Sequence, residues 1–487
     1  MIEVCAKVEV CDKKTLALVY TPGVAESCLE IKEDYDRVFD LTNRSNSVAV
    51  VSYDYALSLK RAEWLKNMHG IDAYPFEIKK TTSGDLEFVC RAILPGFMGI
   101  DRTLLENLPF DNENIIPTRS KNCVFGDILE NVVAGLSPIE LRERFCGVIE
   151  TRVTTGDIKK PVAIVTDGSA VLGLGNIGSE AGLPVMEGKA VLFKSLGNVS
   201  AMPICLSTQE PSDIVKVVQL LENSFSGVNL EDIAAPKCFD IERELTETTN
   251  IPIFHDDQHG TAIVVVAALL NALHIVEKEI ADIEIVISGT GAAGQAVCKL
   301  LMKAGVKHIV MVDSKGILYK TREDNDASRA EMAKITNLQD LRGTLADAVV
   351  GTDVFVGVSA GGILKPEMVE TMADGAIVFA LANPMPEILP PEALEAGARI
   401  VGSGRSDFDN QINNSLAFPG LFKGVLASGC TQITDDIKLE CAVAIASLVS
   451  GEELSESYII PDALDVRVAN KISACIINYV RNPNINA

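Results

Sequence analysis

The chain has no excess of basic charge, no paired cysteine motif and no apolar run of membrane length. Against 67 Asp and Glu stand 43 Lys and Arg, a net charge of −24 with a pI near 4.7. Nucleic acids and anionic membrane surfaces select basic patches, so neither is an expected partner. The twelve cysteines are scattered, with no C-x-x-C and no Cys/His cluster at zinc-ligand spacing. Reduced, mostly buried thiols of a cytoplasmic protein are expected. Residues 1–7 carry no basic-then-apolar signal pattern, and the longest apolar stretch, 262–273, is broken by Asn271 and too short to span a bilayer. The expectation is a soluble protein in which any anionic ligand must find a local lysine, arginine, metal or helix N-terminus.

What is present is α/β patterning. At 487 residues with 47% hydrophobic content, the chain is long enough for two or three domains. β-Branched runs at 162–165, 204–206, 283–287, 308–312, 353–356 and 376–381 read as buried parallel strands. Helical segments lie between several of them, for example 295–304, stopped by Gly305. Beyond about residue 430 the pattern is helical, with helices over 434–449 and 464–479 and Thr434 as the N-cap of the first. The first third also resembles a later stretch. Val48-Ala-Val-Val matches Val162-Ala-Ile-Val at an offset of 114 residues. Ile71-Asp-Ala-Tyr-Pro-Phe and Gly99-Ile-Asp match Val199-Ser-Ala-Met-Pro-Ile and Gly227-Val-Asn at an offset of 128. At the first-copy counterparts of Glu231 and Asp232 stand Thr103 and Leu104, so 48–155 reads as a degenerate repeat that lacks the chemistry.

Glu231-Asp232 and, 25 residues after the second, Asp257 are carboxylates among apolar residues. Burying them is costly unless a positive charge offsets their desolvation, and Mg²⁺ or Mn²⁺ prefers such oxygen ligands. Ile287-Ser-Gly-Thr-Gly-Ala-Ala-Gly294 follows a strand and opens a helix, a dinucleotide fingerprint whose glycines allow a tight turn and close approach to a pyrophosphate. The next strand ends at Asp313, which favours NAD through the ribose 2′-OH, whereas Ser314 and Lys315 can hold the 2′-phosphate of NADP. Both cofactors stay open, with a slight lean to NADP. Lys189, in Pro184-Val-Met-Glu-Gly-Lys, is placed where burial can make a lysine a base. On the residues alone, Lys189 reads as a surface lysine and Tyr20 as an ordinary half-buried aromatic, while Asn383 and Asn414 are either amide donors to a carboxylate or turn residues.

Together, Tyr20-Thr-Pro-Gly-Val-Ala, Thr166-Asp-Gly-Ser-Ala-Val-Leu-Gly-Leu-Gly-Asn-Ile-Gly, Gly182-Leu-Pro-Val-Met-Glu-Gly-Lys-Ala, Leu230-Glu-Asp-Ile, Phe254-His-Asp-Asp-Gln-His-Gly-Thr-Ala and Asn413-Asn-Ser-Leu-Ala-Phe-Pro-Gly resemble the malic enzymes. The match is to the small-subunit type of bacteria and archaea, over roughly 15–47 and 155–430. The resemblance implies oxidative decarboxylation of L-malate to pyruvate with NAD or NADP and Mg²⁺ or Mn²⁺. It implies a metal on Glu231, Asp232 and Asp257, and Lys189 as base with Asp256 beside it. Tyr20 would be the acid that protonates C3, and Asn383 and Asn414 would contact substrate. The cofactor would lie on Gly289, Thr290, Gly291, Ala292, Ala293 and Gly294, with Asp313, Ser314 and Lys315 at its ribose. A homodimer follows from the same resemblance.

The implied architecture is an N-terminal α/β malic-enzyme domain over 1–258, containing the repeat, and a Rossmann-type NAD(P)-binding domain over 259–487 with C-terminal helices. Ala170 stands where the larger eukaryotic type has an arginine that clamps a malate carboxylate, so the anchor here must differ. The alternatives are a metal-dependent 2-hydroxy-acid dehydrogenase or oxaloacetate decarboxylase, and a silent NAD(P)-binding regulatory protein. Retention of Tyr20, Lys189 and all three carboxylates argues against silence.

Overall fold

Short β-branched runs with no polar alternation form strands buried on both faces, as parallel sheets require. In the computed structural model Ser47–Ser52 and Val162–Thr166 are buried along their whole length. The structure describes residues 2–102 apart from 8, 9, 13, 14, 17, 18, 21, 22, 80, 81 and 83, then 115–117, 148–154, 160–171 and 173–482. These divide into two compact units, Met1–Phe254 and His255–Ala487.

In the first unit, β1 (Ile2–Ala6) precedes helix α1 (Val24–Glu33). Then come β2 (Ser47–Ser52), α2 (Tyr55–His69), β3 (Asp72–Glu77), α3 (Asp85–Ile93), β4 (Gly99–Arg102), β5 (Ile115–Pro117) and β6 (Ile149–Val153). A second series follows: β7 (Val162–Thr166), α4 (Ser179–Gly197), β8 (Ala201–Cys205), α5 (Pro211–Leu221), β9 (Gly227–Leu230), α6 (Lys237–Thr248) and β10 (Ile253–His255). One sheet has the order β3-β2-β4-β5 and the other β10-β9-β7-β8, while β1 and β6 form an antiparallel ribbon.

The two series share their register. Val48 pairs with Ala73 and Gly99, and Val162 pairs with Ala201 and Gly227, all parallel. These are the positions aligned by the offsets of 114 and 128. The series also bond to each other reciprocally: Lys79 N–H donates to the Leu220 carbonyl at 2.8 Å, and Ser207 N–H to the Ala92 carbonyl at 2.9 Å. Lys79 and Ser207, like Ala92 and Leu220, are equivalent positions. A contact in which i meets j and j meets i is the signature of an approximate two-fold axis. Thr103 and Leu104 lie outside the described residues.

The second unit contains α7 (Asp256–Val276), β11 (Glu284–Ser288), α8 (Ala292–Lys303), β12 (His308–Asp313) and β13 (Gly316–Ile317). It continues with β14 (Val354–Gly357), β15 (Ile377–Ala380), β16 (Ile400–Ser403), α9 (Phe418–Ser428), α10 (Asp435–Ala446) and α11 (Arg467–Arg481). The sheet order β13-β12-β11-β14-β15-β16 is the 3-2-1-4-5-6 order of a dinucleotide-binding fold, with a short antiparallel third strand. Helix α7 is long and apolar enough to cross a bilayer, with a mean hydropathy of 1.9, yet most of it is buried. It packs on α8 and α10, so its apolar faces are those of a core helix.

Three element starts lie three residues from the sequence expectation. The strand expected over 204–206 is Ala201–Cys205, because Pro203 is accommodated where it needs no ladder donor. The helix expected from 295 begins at Ala292, directly after the glycine turn. The last helix begins at Arg467 rather than 464, because Asp465 accepts the Arg467 N–H at 2.9 Å and holds a turn there. Thr434 does cap α10, accepting the Ile437 N–H at 3.4 Å.

Candidate active site

Strand ends collect the functional groups, as in other open α/β sheets. Helix α4 carries Lys189, which is fully buried. Its Nζ donates to Glu231 Oε1 at 2.7 Å and to Tyr20 Oη at 3.4 Å. A buried ammonium is tolerated only when paired, and Glu231 supplies that pair. The second Glu231 oxygen accepts from Asn229 Nδ2 at 2.8 Å, which fixes the carboxylate plane. Tyr20 is brought to the lysine by a close backbone crossing. A Cβ on Gly188 would lie 1.9 Å from the Val19 carbonyl oxygen, so only glycine lets the chain before Tyr20 rest on α4.

Glu231 and Asp232 follow β9, and Asp257 follows β10, its hydrogen-bonded neighbour in the sheet. Asp232 takes a left-handed φ of 55°, and its carbonyl accepts the Ala170 N–H at 2.9 Å. One oxygen from each of Glu231, Asp232 and Asp257 lies within 4.8 Å of the others. The donors are all oxygen, the chemistry of a hard divalent cation, and they fit one.

The Asp167-Gly-Ser turn after β7 is stitched to the same loop. Asp167 accepts from Ser169 N and Oγ at 3.0 and 2.6 Å and pairs with Lys237 at 2.5 Å. Ser169 Oγ in turn accepts the Ala234 N–H at 2.9 Å. The cation paired with this turn is Lys237, at the start of α6.

In the second unit Asp256 is fully buried, and its Oδ2 accepts from Asn414 Nδ2 at 2.6 Å. Gly260 makes room for it, since a Cβ there would lie 1.9 Å from Asp256 Oδ1. Asn383 is on the loop after β15 and donates to the Leu381 carbonyl at 3.4 Å.

The glycine loop has the expected division of labour. Gly289 has φ 126° and sits against the Val358 carbonyl, while a Cβ on Gly294 would strike the Gly289 carbonyl at 1.9 Å. Around Gly291 there is open space, where a pyrophosphate can approach. Thr290 is held by Arg329 Nε at 3.0 Å, and Ala292 and Ala293 begin α8. Asp313 does end β12, but Arg322 grips both its oxygens at 2.8 and 2.9 Å, and the Lys315 N–H reaches it at 2.8 Å. Lys315 Nζ is 2.6 Å from Asp324, and Ser314 is exposed.

Three contributors were missed by the sequence reading. Arg322 stands nine residues beyond the acid it binds, with no motif to announce it. Glu387 accepts the Ser359 and Ala382 amides at 2.9 and 3.0 Å and so ties the loops after β14 and β15 together. Its signal was an acid four residues past Asn383. Glu187 is buried in α4, where burial pushes its carboxyl up to about 7. Its signal was an acid inside an apolar helix.

Comparison with known proteins gives two family models, "Malic enzyme, N-terminal domain" over residues 146–246 and "Malic enzyme, NAD binding domain" over 258–481. A bifunctional malic/malolactic enzyme of Bacillus subtilis is 57% identical over 317 residues, which is 65% of this chain and 77% of that protein. An NADP-dependent malic enzyme of Escherichia coli is 46% identical over 332 residues, 65% of this chain but 44% of that longer protein. The crystal structure of an NAD-dependent malic enzyme from Thermotoga maritima has a TM-score of 0.62 at 38% identity, covering 97% of this chain and 94% of that one.

Proposed function

The chain belongs to the malic enzyme family, whose reaction is the oxidative decarboxylation of malate, and on that premise we propose how its residues divide the work. Lys189, in its neutral amine form, is the base that takes the C2-hydroxyl proton of L-malate as hydride leaves C2 for the nicotinamide. The C3–C4 bond of the resulting oxaloacetate then breaks to release CO₂, and Tyr20 gives its proton to C3 of the enolate to yield pyruvate. The Lys189–Tyr20 hydrogen bond supports this pairing, because it lets the proton held by the lysine replace the one lost by the tyrosine. Glu231, Asp232 and Asp257 would hold Mg²⁺ or Mn²⁺, which when bound supplies Lewis-acid polarisation of the C2 oxygen. Asp256 orients Asn414, and Asn383 and Asn414 are the amide donors to malate.

Gly289 to Gly294 receive the cofactor pyrophosphate. NADP is favoured over NAD because Arg322 already engages both oxygens of Asp313, the acid that would otherwise take the ribose 2′-hydroxyl of NAD. Residues 1–258 form the metal and base domain and 259–487 the cofactor domain, with 48–155 a degenerate copy supported by the shared register. A homodimer completes the reading, and light scattering of the purified protein tests it.

The observation that carries the reading is one buried lysine held between a tyrosine and a carboxylate of an all-oxygen triad. The deciding assay mixes protein, L-malate and Mn²⁺ with NADP⁺ or NAD⁺ and follows reduced cofactor and pyruvate. Both products should appear, faster with NADP⁺. No product with either cofactor overturns the reading, and a faster NAD⁺ reaction overturns the cofactor assignment alone.

A further inference from the structure

Glu187 lies two residues before Lys189 on α4 and is fully buried. At about 100° per residue the two side chains leave the helix on nearly opposite sides. One Glu187 oxygen accepts the Asn43 N–H at 2.6 Å and the other accepts the Val148 N–H at 3.3 Å. Asn43 stands just before β2 and Val148 just before β6, so the two amides bracket most of the extra segment. The Asn43 side chain donates onward to Tyr74 Oη at 3.4 Å on β3. Beside it, Asp72 accepts from Lys66 at 2.5 Å, from Asn46 at 3.2 Å and from Thr151 N and Oγ1 at 2.8 and 3.0 Å. Two hydrogen-bonded sets therefore meet on β3, one reaching α4 through Tyr74, Asn43 and Glu187 and the other reaching α2 and β6 through Asp72.

Helix α4 is gripped on two sides. Glu187 holds it to the ends of the extra segment, while Gly188 and Lys189 hold it to Val19, Tyr20 and Glu231. An apolar residue would fill the Glu187 position without the penalty of burying a carboxyl group. What the carboxylate adds is direction, because its two oxygens are each committed to a backbone amide of a different segment.

We propose that Glu187 is a positioning residue for malate oxidation: it fixes the rotation of α4, and with it the aim of Lys189 Nζ, by anchoring the helix to both ends of the extra segment. The inference rests on Lys189 being the base. A misplacement on the order of 1 Å in a reacting group can slow a reaction about 100-fold, so a modest turn of the helix is enough to matter.

The test compares full-length wild type, Glu187→Ala, Glu187→Gln and Lys189→Ala at saturating Mn²⁺ and cofactor. The measurements are kcat, KM for malate, thermal melting, and the isotope effect on kcat with malate deuterated at C2. Alanine removes both anchors and should lower kcat about 10- to 100-fold, with KM for the cofactor near wild type. Its isotope effect should rise, because the chemical step becomes slower relative to product release. Glutamine keeps one acceptor for Asn43 and should fall between, with part of kcat restored. A purely structural role removes active molecules and leaves the isotope effect in place, so a kcat loss with an unchanged isotope effect overturns the proposal. Wild-type kcat in a folded alanine variant overturns it too. If the alanine variant does not fold, glutamine decides: a wild-type kcat and isotope effect there overturn it. Near-normal oxidation by Lys189→Ala sinks the base assignment instead, whereas an inactive Lys189→Ala with a normal Glu187→Ala sinks this inference alone.

Discussion

At the scale of single residues, the site is a set of charges whose partners are chosen by the fold. Lys189→Ala is expected to lose malate oxidation by about 100- to 10,000-fold, the range a positioned base contributes, with the folded state intact by circular dichroism. Tyr20→Phe should leave hydride transfer in place and slow protonation of the enolate, read as slower loss of pyruvate enol in a burst experiment. Glu187 makes a separate prediction about stability. Burial, the largest influence, and Asp72 raise its carboxyl to about 7 from 4.5, while the Asn43 and Val148 amides and Lys7 pull it down. Tyr74 and Cys205 also face it. Because the folded pKa is the higher one, the folded chain holds an extra proton between those values, so stability falls as pH rises from about 4.5 to about 7. The loss is on the order of 3 kcal/mol. Melting curves across that window should show wild type losing stability relative to Glu187→Gln, and parallel curves would refute the shift. The family resemblance made Lys189 and the carboxylates legible, whereas on the residues alone Lys189 reads as a surface lysine. Arg322 was not legible, because no local pattern marks it, and the acid of Glu187 inside an apolar helix does not reveal the distant amides it meets.

At the scale of elements, local chemistry set most starts and stops. Thr434→Ala should destabilise the second unit by about 1 kcal/mol through loss of the α10 cap, measured by denaturant melting. Helix α9 packs on α11 through Gly420 and Gly424, where a Cβ would lie 2.9 Å from the Ala469 and Ser473 Cα atoms respectively. Gly424→Ala must push the helices apart and is expected to cost about 1–3 kcal/mol. The cap at Thr434 could be read from sequence because it acts within one turn. The start of α11 could not, because the apolar pattern continues through Leu464 and only the Asp465 turn stops it. Strand β8 likewise begins earlier than its β-branched core suggests, since pairing with β7 recruits Ala201 and Met202.

At the scale of the whole molecule, the carboxylate triad and the paired series carry the argument. Mn²⁺ that binds only the folded chain should raise the melting temperature, by the equivalent of about 2.7 kcal/mol at a hundred times its dissociation constant. Asp257→Asn should remove most of that rise without cofactor or malate present, and an equal rise in the variant would exclude Asp257 as a ligand. Composition, periodicity and spacing were enough to determine an α/β chain, a dinucleotide fingerprint and three acids set among apolar residues, because these depend on residues close in sequence. The tertiary structure alone decided that Lys189 meets Glu231 and Tyr20, 42 and 169 positions away. It also decided that Arg322 occupies Asp313 and that Glu187 joins the ends of the extra segment. The reason is physical: a buried charge must be paired across elements, and only the packing of strands and helices determines which distant partner is within reach.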